Sequence, residues 1–460
     1  MADQATAQEF DILVLGGGSG GYATALRAVQ LGFTVGLVEK AKLGGTCLHN
    51  GCIPTKALLH SAEVADHARD GAKYGVNVEL QSIDMTAVNA YKDGIVAGKF
   101  KGLQGLIKGK GITVIEGEGK LTAPDTITVN GTAYKGKNIV LATGSYSRSL
   151  PGLEIGGRVI TSDEALKMDY VPKSVIVLGG GVIGVEFASV WKSFGADVTV
   201  VEGLPSLVPN EDASIIKVLE RTFKKRGIKF NTGTFFQGVE QNNDGVKVTL
   251  VDGKTFEADL LLVAVGRGPS TAGLGFEEAG VTVDRGFVIT NERLHTGVGN
   301  VYAVGDIVPG VQLAHRGFQQ GIFVAEEIAG LKPVVVDDIN VPKVTYCDPE
   351  IASVGYSEKA AKEKFGEDKV ESTEYNLAGN GKSAILGTGG IIKFVREKDG
   401  PVVGVHMIGT RVGEQIGEAQ LIVNWEAYPE DVAGLIHAHP TQNEALGEAA
   451  MALAGRPLHG

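Results

Sequence analysis

A chain of 460 residues with only three cysteines is long enough for two to four domains and cannot be a disulfide scaffold. Its 43% hydrophobic and 21% charged residues suit a soluble globular protein, while 66 glycines is roughly twice the usual share and points to a backbone bent closely around something. A net charge of -11 without a basic patch argues against general nucleic-acid binding. No apolar run approaches the roughly eighteen residues of a membrane helix. The polar, acidic stretch Met1 to Glu9 lacks the build of a signal or transit peptide, so a cytoplasmic protein is expected.

Phe10 to Leu15 reads as a buried parallel strand. It opens into Gly16-Gly17-Gly18-Ser19-Gly20-Gly21, followed by a helical pattern from Tyr22 to Leu31 and a second strand, Thr34 to Val38, ending in Glu39. This is a GxGxxG turn in its expected context. Gly16 permits the tight turn, Gly18 lets backbone approach a pyrophosphate, and Gly21 lets helix and strand pack closely. The helix N-terminus faces the phosphates, and Glu39 is placed to accept bonds from ribose hydroxyls.

Next comes Gly44 to Lys56, which holds Cys47 and Cys52. A regular helix would separate their Cα atoms by roughly 8 to 9 Å. A disulfide needs a closer approach, so bridging would require a kink, for which Gly51 is suited. Redox chemistry, two buried thiols, a structural staple and half a metal site compete here. No second cysteine pair exists to complete a zinc set, and no metal is expected.

Ala57 to Arg69 and Ile83 to Ile107 read as helices and Ile112 to Glu116 as a strand. Thr126 to Val129 and Asn138 to Leu141 flank an Asn130-Gly131 hairpin turn. The chain then reaches a small-residue corner, Ala142-Thr143-Gly144, where backbone is able to lie against a ligand.

Beyond Pro151 the first module repeats. The strand Ser174 to Leu178 leads to Gly179-Gly180-Gly181-Val182-Ile183-Gly184, a helix Val185 to Phe194, a strand Asp197 to Val201, and Glu202. Glu202 stands as far after Gly184 as Glu39 does after Gly21. A carboxylate there hydrogen-bonds a free 2′-hydroxyl and repels a 2′-phosphate, so NAD is expected rather than NADP. Asp244-Gly245 and Asp252-Gly253 turn a β-meander, and Leu260 to Val265 leads into Ala264-Val265-Gly266-Arg267, echoing the earlier corner. Asn300 to Asp306 supplies a short strand ending in a carboxylate suited to a flavin's ribityl hydroxyls.

From Val341 the character shifts to strands around Val344 and Val354, Gly389 to Arg396 and Val402 to Ile408, the last two hairpinned by Asp399-Gly400. A helix, Gly413 to Trp425, has the small and apolar faces of a buried or interfacial element. Near the end, His437-Ala438-His439-Pro440-Thr441 is followed by Glu444. Histidine is the natural proton carrier at neutral pH, and a carboxylate on its far nitrogen fixes the tautomer.

Taken together, the cysteine stretch, Ala142-Thr143-Gly144, Gly305-Asp306, Tyr346 to Gly355 and His437 to Thr441 resemble the flavin disulfide reductase family from about Phe10 to Pro457. The fold class this implies is α/β: two Rossmann-like dinucleotide-binding domains, a central segment and a C-terminal α+β dimerisation domain. The implied domains are 1–150, binding FAD and carrying the redox disulfide, 151–270, binding NAD, 271–342, completing the FAD site, and 343–460, forming a homodimer interface. The resemblance implies oxidation of protein-bound dihydrolipoamide to lipoamide with reduction of NAD+ to NADH, serving a lipoyl-bearing acyltransferase of a 2-oxo acid dehydrogenase complex. Cys47 is the implied interchange thiol, Cys52 the flavin-side thiol, His439 the base and Glu444 its orienting acid. Lys56, Glu186 and Ala314 join the cofactor-binding set by the same resemblance. Glutathione- and mercuric-type members resemble the chain less, and a flavin-binding scaffold without turnover is the alternative from another class. The chain departs from the family at His49, at Ser19 where Pro is common, at Ala314-His315-Arg316-Gly317-Phe318, and at Cys347, read as a non-catalytic thiol. A protonated His49 beside Cys47 would depress its thiol.

Overall fold

The computed structural model describes residues 8–459, so residues 1–7 of the acidic N-terminal stretch lie outside the described residues. Two compact units emerge. One comprises Met1–Ala57, Ala87–Arg148 and Arg267–Asp338, the other Leu58–Thr86, Ser149–Gly266 and Ile339–Gly460.

In the first unit, Gln8–Leu15 is buried throughout its second half, as a continuous apolar run must be at the centre of a parallel sheet. It pairs in parallel with Val35–Glu39 on one side and Thr132–Leu141 on the other. Thr113–Glu116 extends the first side. Asn130 and Gly131 take φ of +49° and +81°, the mirror-image turn expected of a tight hairpin. The strand after that turn, Thr132–Leu141, is longer than the sequence pattern suggested, because its polar first half is held by backbone pairing with Thr126–Val129 on one side and, from Tyr134, with Gln8, Glu9 and Phe10 on the other. Val301–Ala303, far away in sequence, pairs in parallel with Ile139, Val140 and Leu141. Three strands therefore end together at Leu15, Leu141 and Ala303, the carboxyl edge where open α/β sheets bind ligands. Helices Ser19–Gln30 and Ala314–Ile328 pack closely beside it. A Cβ on Gly321 would lie 2.3 Å from the Gly20 carbonyl oxygen, so the crossing requires glycine there.

The second unit holds a parallel sheet in the order Lys229–Asn231, Asp197–Val201, Ser174–Leu178, Leu260–Val263, Val159–Ile160. The expected meander is the antiparallel sheet Phe236–Gln241, Val246–Leu250 and Thr255–Ala258. Its last segment forms a five-stranded antiparallel sheet ordered Lys343–Thr345, Glu350–Gly355, Val402–Gly409, Ile391–Glu397, Val370–Asn376. Val370–Asn376 carries two glutamates and escapes a hydrophobic pattern, because it is an edge strand and charge protects an edge. Helices Val412–Asn424 and Glu444–Leu453 bury Ala419, Ile422, Leu446 and Ala449 against this sheet. Among the described residues no helix is long and apolar enough to cross a membrane.

Candidate active site and cofactor cradles

The two glycine turns have nearly the same anatomy. A Cβ on Gly16 would meet the Ala142 carbonyl oxygen at 2.3 Å, and one on Gly179 would meet that of Ala264 at 2.3 Å. A Cβ on Gly21 would lie 1.8 Å from the Gly16 carbonyl oxygen, and one on Gly184 would lie 1.9 Å from that of Gly179. Only glycine fits these four positions. Gly18 and Gly181, by contrast, cap their helices and face open space: the nearest atom to a Cβ on Gly18 is 4.0 Å away, and none lies within 4 Å at Gly181. Backbone is thus exposed where a pyrophosphate would approach. Glu39 accepts the Gly17 N–H at 2.7 Å and the Ala41 N–H at 2.8 Å. Glu202 accepts the Gly180 N–H at 2.7 Å and the Leu204 N–H at 2.8 Å. These bonds occupy part of each carboxylate's acceptor capacity and leave the rest for ribose hydroxyls.

The cysteine stretch folds directly onto the first turn. The Gly44 N–H donates to the Gly17 carbonyl at 2.8 Å, and a Cβ on Gly45 would lie 2.8 Å from the Gly18 Cα. Cys47 lies in a short helix, Gly45–His49, and Cys52 starts a second, Cys52–Asp70, with the break at Asn50 and Gly51. This is the kink that the pair was expected to need. Both cysteines are half-buried free thiols, and their side chains hydrogen-bond each other. The Cys47 thiol is pushed far above its ordinary value, first by that bond, then by burial and the charge of Cys52, with Lys56 and the Ser19 hydroxyl opposing. Tyr22 is pushed up to about 12 by burial and by the charges of Cys47 and Cys52. His49 does not join this cluster. Its Nε2 donates to the Leu43 carbonyl at 2.9 Å and its ring stands edge-on to Phe100, which makes it a packing residue.

The rest of the first cradle comes from distant segments. Ala142 continues the pairing with Leu15, Thr143 donates through Oγ1 to the Ser270 carbonyl at 2.6 Å, and the Gly144 carbonyl accepts the Ser270 N–H at 2.9 Å. Gly144 and Gly305 adopt φ of +74° and +76°, with no atom within 4 Å of a Cβ on either. Asp306 accepts from the Ser145 hydroxyl at 2.5 Å. Arg267 donates to that same hydroxyl at 2.7 Å, to the Ser145 carbonyl and to Ser147. Gly266 closes the second unit and Arg267 belongs to the first, so this arginine's guanidinium joins the Ser145 corner of the first unit. Ala314 opens the helix Ala314–Ile328. Within that helix Arg316 is buried against Asp338 and the Pro309 carbonyl.

In the second unit, Glu186 is 2% exposed and accepts the Tyr346 N–H at 2.9 Å. Cys347 is buried and its thiol is pushed well up, by burial first and then by Glu186, an inert sulfur. His439 Nδ1 and Glu444 Oε1 lie 2.9 Å apart. A carboxylate only accepts, so Nδ1 carries the proton and Nε2 keeps its lone pair. Glu444 is held below the usual carboxylate range by the Thr441 N–H first, and then by His439. The His439 side chain is 78% exposed and that of Glu444 25%: the acid is anchored and the base presented outward.

Several pinning residues escaped the sequence pattern. Glu418 receives His437 Nε2 and Asn443 Nδ2, each at 2.7 Å, so it ties both ends of the His439 loop to the helix Val412–Asn424. Asn380 holds the Thr441 carbonyl and Gln442 the Thr410 carbonyl. Nothing local marks these residues, because their partners are remote in the chain.

Residues 10–321 match the pyridine nucleotide-disulphide oxidoreductase family, and residues 341–450 match its dimerisation domain. The chain belongs to this family. It is 41% identical to the mitochondrial dihydrolipoyl dehydrogenase of Pisum sativum, over 98% of this chain and 93% of that one. It is 40% identical to a dihydrolipoyl dehydrogenase of Bacillus subtilis, over 98% of this chain and 100% of that one. Among solved structures, LpdA of Mycobacterium tuberculosis superposes with a TM-score of 0.89 at 25% identity, covering 97% of this chain and 100% of that one.

Proposed function

We propose that this chain oxidises protein-bound dihydrolipoamide to lipoamide through a Cys47–Cys52 disulfide and reduces NAD+ to NADH, working as a cytoplasmic homodimer with FAD in the first glycine module and NAD in the second. The observation that carries this reading is the pair of mutually hydrogen-bonded thiols seated on a dinucleotide turn, in a chain whose other unit presents an oriented imidazole. The identity to proteins named dihydrolipoyl dehydrogenase supports the choice of substrate. The division into 1–150, 151–270, 271–342 and 343–460 and the service to a lipoyl-bearing acyltransferase belong to the same proposal. Leu421, Trp425, Leu435 and Ile436, exposed on the family's dimerisation segment, support the dimer.

The residues present fit the two cofactors. Gly16, Gly18, Gly21, Glu39, Thr143, Gly144, Asp306 and Ala314 would hold FAD, with Lys56 near its ring. Gly179, Gly181, Gly184, Glu186, Glu202 and Gly266 would hold NAD. Bound FAD supplies the two-electron chemistry that connects thiols to nicotinamide. The chain's own residues do the rest. His439 Nε2 takes a proton from the dithiol, held in the correct tautomer by Glu444. The substrate thiolate attacks Cys47 and Cys52 leaves as a thiolate. In the dimer, the outward-facing His439 serves the partner subunit's disulfide.

Anaerobic holoenzyme given dihydrolipoamide and NAD+ is expected to form NADH, with no turnover on glutathione or mercuric ion. Under reduction, Cys47→Ser should retain a long-wavelength thiolate–flavin absorbance and Cys52→Ser should lose it. Turnover on glutathione instead of dihydrolipoamide would overturn the substrate, and identical spectra for the two variants would overturn the assignment of the thiols.

A further inference from the structure

The segment 304–313 joins the strand Val301–Ala303 to the helix Ala314–Ile328, and Asp306 lies in its opening turn, Gly305–Ile307. Past the sheet edge the backbone groups of this loop must find partners elsewhere. Arg316 supplies several of them. It stands in the first turn of the helix and is 5% exposed, and its planar fork spreads over three groups. Nε donates to the Asp338 carboxylate and Nη2 to the Pro309 carbonyl, each at 2.5 Å, and Nη1 reaches the Gly305 carbonyl at 3.5 Å. Asp338 passes the hold on, its second oxygen accepting the Val311 N–H at 3.3 Å. The loop closes tightly over this pair: a Cβ on Gly310, where φ is +118°, would lie 1.9 Å from Asp338 Oδ2 and 2.3 Å from Arg316 Nη2. One turn along the helix, Gln320 is 2% exposed and accepts the Gly305 N–H at 2.8 Å. Gln312 donates to the Asp306 carbonyl at 3.2 Å. Gly305 is thus held at both its N–H and its carbonyl, and Asp306 at its carbonyl.

We propose that Arg316 is a positioning residue for the flavin, its guanidinium fixing the backbone of residues 305–311 so that the Asp306 carboxylate is set for the ribityl hydroxyls before the flavin arrives. This rests on the reading of Asp306 as a member of the FAD-binding set. The carboxylate is steadied from its other side by the Ser145 hydroxyl on Oδ2, which Arg267 holds in turn. That bond leaves acceptor capacity on the carboxylate for a ligand. A group ordered in advance loses little freedom on binding, which tightens the complex without adding a contact. The residue type matters, because an ammonium is a single point on a flexible stem, whereas the guanidinium fork engages an acid and two carbonyls together. A plain staple between the helix and Asp338 would act on folding and not through Asp306, and the two roles separate in the following experiment.

The test is the rate of FAD release from the holoenzyme, followed by the rise in flavin fluorescence. Arg316→Met should release FAD about tenfold faster, the worth of one hydrogen bond to a charged group. Arg316→Lys, which keeps the charge beside Asp338 and loses the fork, should fall between that variant and the parent. The decisive measurement is a double-mutant cycle. Asp306→Asn should itself speed release, and adding Arg316→Met to it should speed release no further. Factors that multiply in the double variant overturn the proposal, because Arg316 would then act without Asp306, and so does a parent-like rate in Arg316→Met. If the methionine variant does not fold, Arg316→Lys goes through the same cycle under the same criteria. Failure of the underlying reading looks different: release unchanged by Asp306→Asn alone removes Asp306 from the flavin set and the proposal with it. The expected release rates in a protein inert to dihydrolipoamide would remove only the dithiol oxidation and uphold the role of Arg316.

Discussion

A Cβ on Gly21 would lie 1.8 Å from the Gly16 carbonyl oxygen and one on Gly184 would lie 1.9 Å from that of Gly179, and Glu39 and Glu202 reach Gly17 and Gly180 at the same 2.7 Å. The two turns are built alike, and they differ in what has been laid on them. The first supports the cysteine stretch through the Gly44–Gly17 bond and packs its helix against Ala314–Ile328. At the second, no atom lies within 4 Å of a Cβ on Gly181, whereas at the first a Cβ on Gly45 would come within 2.8 Å of the Gly18 Cα. A dinucleotide turn is therefore a neutral platform: the neighbouring segments decide whether it carries a redox centre or only admits a diffusing nucleotide.

The largest expected effects come from the glycines that both turns share. Gly21→Ala and Gly184→Ala each force a methyl into a backbone carbonyl that has nowhere to go, a cost of roughly 3 kcal/mol or more for such overpacking. Thermal unfolding should show both losses, whereas bound-flavin absorbance should fall with Gly21→Ala alone. Loss of flavin from Gly184→Ala would break the separation of the turns.

The acids come next. Removing one hydrogen-bonding carboxylate costs about 1.5–3 kcal/mol, or roughly 10- to 100-fold. Glu202→Ala should raise the KM for NAD+ by that factor with flavin content unchanged. Glu39→Ala should weaken flavin retention and leave that KM alone. If either change moved both quantities, the two sites would not be independent.

The smallest effect belongs to the pair outside both turns. The Glu444 carboxyl is held below its ordinary value of 4.5 by the Thr441 N–H and then by His439. A carboxyl depressed on folding contributes stability that is present above its unfolded value and is lost as the pH falls through the folded one. Glu444→Gln should therefore lower the denaturation midpoint slightly at neutral pH, with the gap closing as the pH drops below 4.5. Flavin content should stay at the parent value. A gap that widens in acid would reverse the sign of this contribution.

Much was legible in the sequence for a local reason. Strand, glycine turn, helix and terminal acid fall within one short stretch, and each element is selected by its own neighbours: apolar runs such as Phe10 to Leu15, turn glycines such as Gly131, a kink at Gly51. Glu39, Glu202 and the Asn50–Gly51 break accordingly stand where spacing placed them. The edge strand Val370–Asn376 was missed because an edge needs charge more than alternation.

The contacts that link remote segments were decided only in three dimensions. Val301–Ala303 enters the first sheet beside a strand more than a hundred residues earlier. Arg267, Ser145 and Asp306 form one hydrogen-bonded chain, and Glu418 clamps the His439 loop. The cysteine stretch meets the first glycine turn because Gly44 and Gly45 let the two loops touch. No periodicity encodes such meetings, since each depends on where the sheet edge and the helix crossing bring the chain. By itself the sequence determined the platforms and the chemistry set upon them. The tertiary structure decided which remote side chains pin those platforms and the His439 loop, because such partners are chosen by packing across the fold and not by neighbours along the chain.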